Sequence, residues 1–287
     1  MFNKMKDKEV LLVSDFVGVG KVALSMMIPV LSTMEANLNY LPTAVISNNF
    51  DYGEAAVQEL NDFMEQSKDM WEKHKLRFDF ISTGIVMNTK QVDVVKEIID
   101  LHENRPIIIS DPIMGDGGRI YPGLSKDVVK ASREMALIAD ILIPNLTELS
   151  LIVGKEYPKE VSDEVIKKWL TKMQGRGVKA AIVTSVKIDS KHYVYGYSDV
   201  DNDIFRVEYD HIPVDVGGAG DIFTSLMIGH ISKGTDIREG VKYTTEVLTN
   251  IIKKEYEKGI TSSAEETIND IKEIRIQNYL QDIYNSL

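Results

Sequence analysis

The chain contains no cysteine among its 287 residues. That excludes disulfide cross-links, thiolate zinc sites and cysteine nucleophiles together. No uninterrupted apolar run approaches the roughly 20 residues that a membrane-spanning helix needs. An excess of basic charge is also missing. The formal net charge of −11 argues against a duplex nucleic-acid partner, which demands a basic face. It leaves room for a phosphorylated small molecule, because a local field can differ in sign from the whole. The opening MFNKMKDKEV is charged and short of apolar length, unlike a secretory leader, so a cytoplasmic protein is expected. There is no internal repeat, low-complexity tract or obvious linker. A single domain over residues 1–287 is expected, with ordinary globular hydrophobic and charged contents of 44% and 27%.

What is present is a rhythm. Short β-like runs (VLLVS, LPTAVIS, FDFISTG, PIIISD, DILIPN, AAIVTS) alternate with helical patterns near residues 20–36, 90–103, 125–138 and 162–174. A long helix is expected where Val57, Leu60, Phe63, Met64, Met70 and Trp71 recur. The apolar runs are continuous, as in strands buried on both faces. Repeated βα units imply an α/β fold with a mostly parallel sheet and helices on both sides. After residue 190 the stretch KHYVYGYSDVDNDIFRVEY reads as a hairpin turning near Asp201 and Asn202. Three helices then finish the chain. The last is expected to start at Ser263, with Glu266 completing a capping-box spacing, and to bury Ile268, Ile271, Ile274, Leu280 and Ile283.

The stretch DFVGVGKVALS, residues 15–25, follows the first strand and invites a phosphate-loop reading. The spacing fits poorly. Asp15 stands where a P-loop needs its first glycine, and Val22 where it needs the magnesium-binding hydroxyl. Gly18, Gly20 and Ala23 match the dinucleotide pattern, but no acidic residue follows at the required distance. A glycine-bearing turn that starts a helix close to the sheet is the plainer reading.

Polar residues cluster at the expected strand ends: Ser14–Asp15, Thr83–Gly84, Ser110–Asp111, Pro144–Asn145 and Thr184–Ser185. In open parallel sheets, ligands gather beyond those ends. The most informative stretch is VDVGGAGDIFTSLMIGHI, residues 214–231. Glycines frame Ala219, and Asp221 opens an apolar helical run. Backbone N–H groups at a helix start can hold an anion, and glycine lets the anion approach. Asp221 beside such a pocket could take a proton from an alcohol attacking a phosphoryl group, or could simply satisfy the helix dipole.

SDPIMGDGG, PNLTEL, Thr184-Ser185 and VDVGGAGD occur in that order, with SNNFDYG near residue 50 and Tyr121 after the glycine loop. In these the chain resembles the ribokinase-like kinases, and most closely their pyridoxal kinase branch. The resemblance implies a ribokinase-like α/β/α sandwich and an ATP-dependent kinase for the hydroxymethyl group of a B6 vitamer. It implies Asp221 as general base and Gly218, Ala219 and Gly220 as the anion hole. It implies Asp111, Asn145, Glu148, Thr184, Ser185 and Gly220 around the nucleotide, and Asp111, Asp116 and Glu148 around Mg²⁺, with K⁺ near Asp111. The GDGGRIY loop becomes a flap, the DFVGVGK turn faces the acceptor, and a homodimer is expected.

The acceptor pocket departs from the family pattern. Asp15-Phe16 stands in place of serine–histidine, Ser47-Asn48-Asn49-Phe50 in place of S-N-H-T, and Ile85 in place of a tyrosine. Asp15, Phe50 and Asp221 are the expected acceptor contacts. An ionised Asp15 suits an acceptor bearing an amine or a protonated ring nitrogen. Other acceptors, such as hydroxymethylpyrimidine, and a non-catalytic binding relative remain open readings.

Overall fold

The structure, a computed structural model, describes residues 8–121, 124–214, 216–258 and 273–286, apart from the Asp51 side chain. The chain opens with β1 (Glu9–Val17), α1 (Leu24–Thr33), β2 (Asn37–Ile46), β3 (Val57–Glu59) and α2 (Asn61–His74). β4 (Phe80–Thr83), α3 (Thr89–Asp100) and β5 (Ile107–Ser110) follow. A small hairpin, β6 (Gly115–Asp116) and β7 (Arg119–Ile120), precedes α4 (Lys126–Ile138), β8 (Ile141–Leu142), α5 (Leu146–Val153) and α6 (Asp163–Gln174). The remainder is β9 (Ala180–Ile188), β10 (Lys191–Ser198), β11 (Asp203–Tyr209), α7 (Ala219–Ser232), α8 (Ile237–Glu257) and α9 (Leu280–Asn285).

Nine strands form one sheet in the order β11-β10-β9-β8-β5-β4-β1-β2-β3. The six from β9 to β2 are parallel, and antiparallel strands flank them at both edges. The continuous apolar runs have a simple cause: alternate residues serve two cores. Leu11 and Val13 of β1 join Ile81, Ile108, Leu142 and Val183 under α2–α6. Val10 and Leu12 join Phe80, Ile109, Ile141 and Ile182 against α1, α7 and α8. The result is an α/β/α sandwich. β1 lies between β2 and β4, so the chain leaves it in opposite directions, and a crevice opens at its carboxyl end.

Several boundaries differ from the sequence reading. The helix expected from residue 20 starts at Leu24, because the Gly18–Gly20 turn pairs first with the end of β2: Gly18 N–H donates to Ile46 O at 2.8 Å and Val19 N–H to Ser47 O at 3.1 Å. Val57 belongs to an exposed edge strand, not to the long helix, and of the α2 residues Met64 alone is buried. Phe63 and Met70 face solvent, so an apolar periodicity does not here mark a buried face. PNLTEL begins a helix, α5, that periodicity did not reveal, and the glycine loop is the β6–β7 hairpin. The expected helix start at Ser263 and Glu266, with Ile268 and Ile271, lies outside the described residues. Its later part is not one continuous helix. Glu273 bridges to Gly217, Ile276–Asn278 is a 3₁₀ turn, and α9 starts afresh at Leu280. Ile274 and Ile283 are buried as expected.

Candidate active site

The five polar strand ends do meet along one rim. Asp111 N–H donates to Thr83 O at 2.9 Å, and Thr83 Oγ1 donates to Ser110 Oγ at 3.1 Å. Asn145 and Thr184 form a parallel bridge. Gly84 packs so tightly that an added Cβ would stand 2.3 Å from Ser14 Oγ.

α7 delivers the central group. Gly218, at φ 85°, caps the helix where an added Cβ would lie 2.5 Å from Lys21 O. Both the left-handed backbone and the close approach require glycine here. The first helical bond runs from Ile222 N–H to Gly218 O at 3.0 Å, so the N–H groups of Ala219, Gly220 and Asp221 precede the ladder. A Cβ built on Gly220 would meet nothing within 4 Å, so the backbone here borders open space. Those N–H groups carry the positive end of the helix dipole and can receive an anion.

Asp221 follows directly. Its Oδ2 accepts the Ala23 N–H at 2.9 Å. Burial pushes its carboxyl up to about 8, opposed by that hydrogen bond and reinforced by the charges of Asp111 and Asp15. Thr224, one turn along the same face, donates its hydroxyl to Asp111 Oδ2 at 2.7 Å. Asp111 is raised to about 7 by burial, against that bond. Glu148 is 2% exposed and held well above the usual carboxylate range by burial and then by Asp111. Asp15 is likewise 2% exposed, neither facing water nor capping α1; Ser14 Oγ donates to its Oδ1 at 3.1 Å, and burial raises it to about 6. Four acidic side chains thus run across the crevice, and among the described residues no lysine or arginine pairs with any of them.

Asn145 and Glu148 close a capping box on α5: Asn145 Oδ1 accepts Glu148 N–H at 3.0 Å, and Glu148 Oε2 accepts Asn145 N–H at 2.8 Å. The same pair bolts down the root of the hairpin. Glu148 Oε1 accepts Met114 N–H at 3.0 Å, and Asn145 Nδ2 donates to Gly115 O at 2.7 Å. Gly118 N–H donates to Thr147 Oγ1 at 2.9 Å, with the Tyr157 ring beneath. Asp116 sits exposed on the hairpin, its Oδ1 accepting Gly117 N–H at 2.7 Å, and its charge reaches Tyr157 and Tyr209. Ser185, at φ 57°, occupies a bulge where β9 slips against β10, and it hydrogen-bonds Tyr209. At the other end Phe50 packs on an apolar wall of Val17, Ile46, Ile85 and Met87. The structure therefore brings Asp15, Asp111, Glu148 and Asp221 together with the 218–220 loop. Asp116 lies on the hairpin, and Thr184 and Ser185 on the far rim. Sequence reasoning missed Thr224, which three-residue spacing from Asp221 could have flagged, and Ala23, which carries no side-chain signal.

This fold and this site define a class: an α/β kinase of the ribokinase-like type, transferring a phosphoryl group to an alcohol. Residues 33–265 match the model of the phosphomethylpyrimidine kinase family. The chain belongs to that family. A Bacteroides thetaiotaomicron protein described as a phosphomethylpyrimidine kinase, crystallised with pyridoxal, is 30% identical, with a TM-score of 0.86 over 96% of this chain and 95% of that one. A Schizosaccharomyces pombe protein provisionally named a pyridoxal kinase is 24% identical over 85% of this chain and 80% of its own. A Caenorhabditis elegans protein of the same provisional name is 28% identical over 58% of this chain and about half of its own, 51%.

Two expectations follow. Gly218→Ala should lower stability by about 1–3 kcal/mol, the usual cost of a disallowed backbone position, read from the urea midpoint. Because Asp111 titrates near 7 in the fold against 3.8 as its ordinary value, the folded state holds a proton that the unfolded state releases. The ligand-free protein should therefore lose stability as pH rises from about 4 to about 7. Asp111→Asn should raise Tm at neutral pH by roughly 2–4 °C, and an unchanged Tm would refute the charge strain described here.

Proposed function

We propose that this chain uses ATP to phosphorylate the hydroxymethyl group of a vitamin B6 vitamer: pyridoxal, pyridoxamine or pyridoxine. The observation that carries the reading is Asp221, a carboxylate with no cationic partner among the described residues, set directly beside three backbone N–H groups that precede the α7 ladder. The acceptor hydroxyl gives its proton to Asp221 as its oxygen bonds to the γ-phosphorus, and the bond to the bridging oxygen breaks to release ADP. The N–H groups of residues 219–221 receive the negative charge of the moving phosphoryl group. Asn145, Thr184 and Ser185 lie at the nucleotide end, and the β6–β7 hairpin is placed to cover it.

The donor chemistry fits Mg²⁺, because Asp111 and Glu148 are hard oxygen ligands, close enough that the charge of Asp111 raises the proton affinity of Glu148, and among the described residues neither has a basic partner. They are the residues that would hold the ion, Glu148 chiefly through water since both its oxygens already accept backbone N–H groups. Bound there, the ion would neutralise phosphate charge.

The acceptor end has a sharper character. Asp15 is buried, its carboxyl raised to about 6 by that burial, and among the described residues it has no basic partner; it stands on β1 near the wall that holds Phe50 and Ile85. This favours an acceptor with an amine or a protonated ring nitrogen, pyridoxamine first among the vitamers. Hydroxymethylpyrimidine is the second reading, favoured by the description of the family.

Turnover tests the base. Asp221→Asn should lower kcat by about 10²–10⁴-fold. Since the base works only when ionised, kcat/KM of the free enzyme should climb as pH rises through about 8 and flatten in that variant. A parental rate in Asp221→Asn would sink the assignment. Selectivity tests the acceptor: kcat/KM for pyridoxal, pyridoxamine and hydroxymethylpyrimidine should favour pyridoxamine by about tenfold, and the preference should vanish in Asp15→Ser. Identical selectivity in the two proteins would remove Asp15 from recognition.

A further inference from the structure

The turn between β1 and α1 contains an alanine in a conformation that alanine avoids. Ala23 has φ 51° and ψ −137°, a region that glycine reaches readily and other residues only under constraint. Such positions cost about 1–3 kcal/mol and persist when the surroundings over-determine them. Here the surroundings are visible. Ser25 Oγ donates to Val22 O at 2.7 Å and Gly20 O at 3.2 Å, closing the turn from inside. Lys21 O lies against Gly218, so the turn is wedged on the start of α7. Asn49 N–H donates to Val19 O at 2.8 Å and ties the turn to the end of β2. Ala23 itself is 4% exposed. The strained torsions aim its N–H at Asp221 Oδ2, 2.9 Å away and 198 residues distant in sequence.

We infer that the backbone N–H of Ala23 is a positioning group for the proposed base, holding Asp221 Oδ2 so that Oδ1 is the oxygen offered to the acceptor hydroxyl. Among the described residues no other hydrogen bond reaches that carboxylate. Ala23 also caps α1, with the N–H groups of Met26 and Met27 both returning to its carbonyl at 2.9 Å. The N-terminus of a second helix therefore points at Asp221 besides that of α7 itself, and both dipoles favour the ionised form. A base used at neutral pH needs such help, because its other neighbours, Asp111 and Asp15, are both acidic and push towards protonation. Fixing one oxygen also removes the freedom of the carboxylate to swing away from the acceptor.

The inference rests on Asp221 being the base, and the experiment separates the two. In full-length protein labelled with ¹⁵N-alanine, the Ala23 amide is assigned by its disappearance in Ala23→Gly and followed through a pH titration. Its proton shift should move with the Asp221 midpoint and stop titrating in Asp221→Asn. Replacing residue 23 by lactate, which exchanges the N–H for an ester oxygen and keeps the methyl group, should lower kcat/KM at neutral pH by at least about tenfold. It should also move the acid limb to higher pH and leave KM for ATP unchanged. Ala23→Gly keeps the N–H and serves to assign the amide signal. An Ala23 amide that does not titrate, or an ester protein with the parental profile, overturns the inference. Where the ester protein does not fold, the titration decides alone. A silent amide with an inactive Asp221→Asn removes the positioning role only; an active Asp221→Asn removes the base and this role together.

Discussion

Burying a carboxylate among other carboxylates is unfavourable unless something other than a basic side chain answers its charge, and at Asp221 the answer is backbone. The Ala23 N–H at the start of α1 donates to it, and it stands in the first turn of α7, at the positive end of that helix's dipole. Much of the surrounding geometry follows from that requirement. Gly218 must lack a side chain so that α7 can begin against Lys21 O, and the β1–α1 turn must hold a strained alanine so that its N–H points inward. Thr224, on the same face of α7, then fixes Asp111 at a set place relative to Asp221. One helix start thus orders the proposed base, the proposed cradle and a neighbouring carboxylate at once.

The row of carboxylates gives the crevice a direction. Asp15 marks the end beside an apolar wall, which suits a flat heterocycle with a cationic atom; Asp111 and Glu148 mark the end next to the hairpin and the far rim, which suits phosphate and metal. The ligand-free site is electrostatically strained, since every one of these groups is pushed towards protonation. Ligands that bring positive charge relieve the strain, so binding energy is gained from a cost already present in the fold.

The sandwich was legible because continuous apolar runs at strand length have few other uses: Leu11 and Leu12, adjacent in sequence, enter different cores. The hairpin after residue 190 was legible through alternation. Polar strand ends and the start of α7 could be read because glycine, aspartate and asparagine at such places carry backbone meaning. Boundaries were less legible where long-range bonds decide them. Nothing local shows that residues 18–20 pair with residues 46–49, or that Val57 leaves the helical register for an edge strand. Ala23 was invisible for a deeper reason. Its role lies in a torsion angle and an N–H, which every residue but proline possesses.

That distinction explains why the proposed acceptor pocket departs from the family pattern while the proposed transfer machinery follows it. The cradle, the cap at Gly218 and the Ala23 contact are made by main-chain atoms, so they tolerate side-chain change nearby provided the turns keep their shape. The acceptor wall is made by side chains, Phe50 and Ile85 among them, on segments that can exchange residues without moving α7. Asp15 is the point where the two meet: it stands on β1, just ahead of the turn that ends at Ala23, and its charge reaches Asp221. A change there alters recognition directly and the proton affinity of the base indirectly. On the proposed reading, acceptor choice and the pH at which the base works are physically coupled through one residue in this chain.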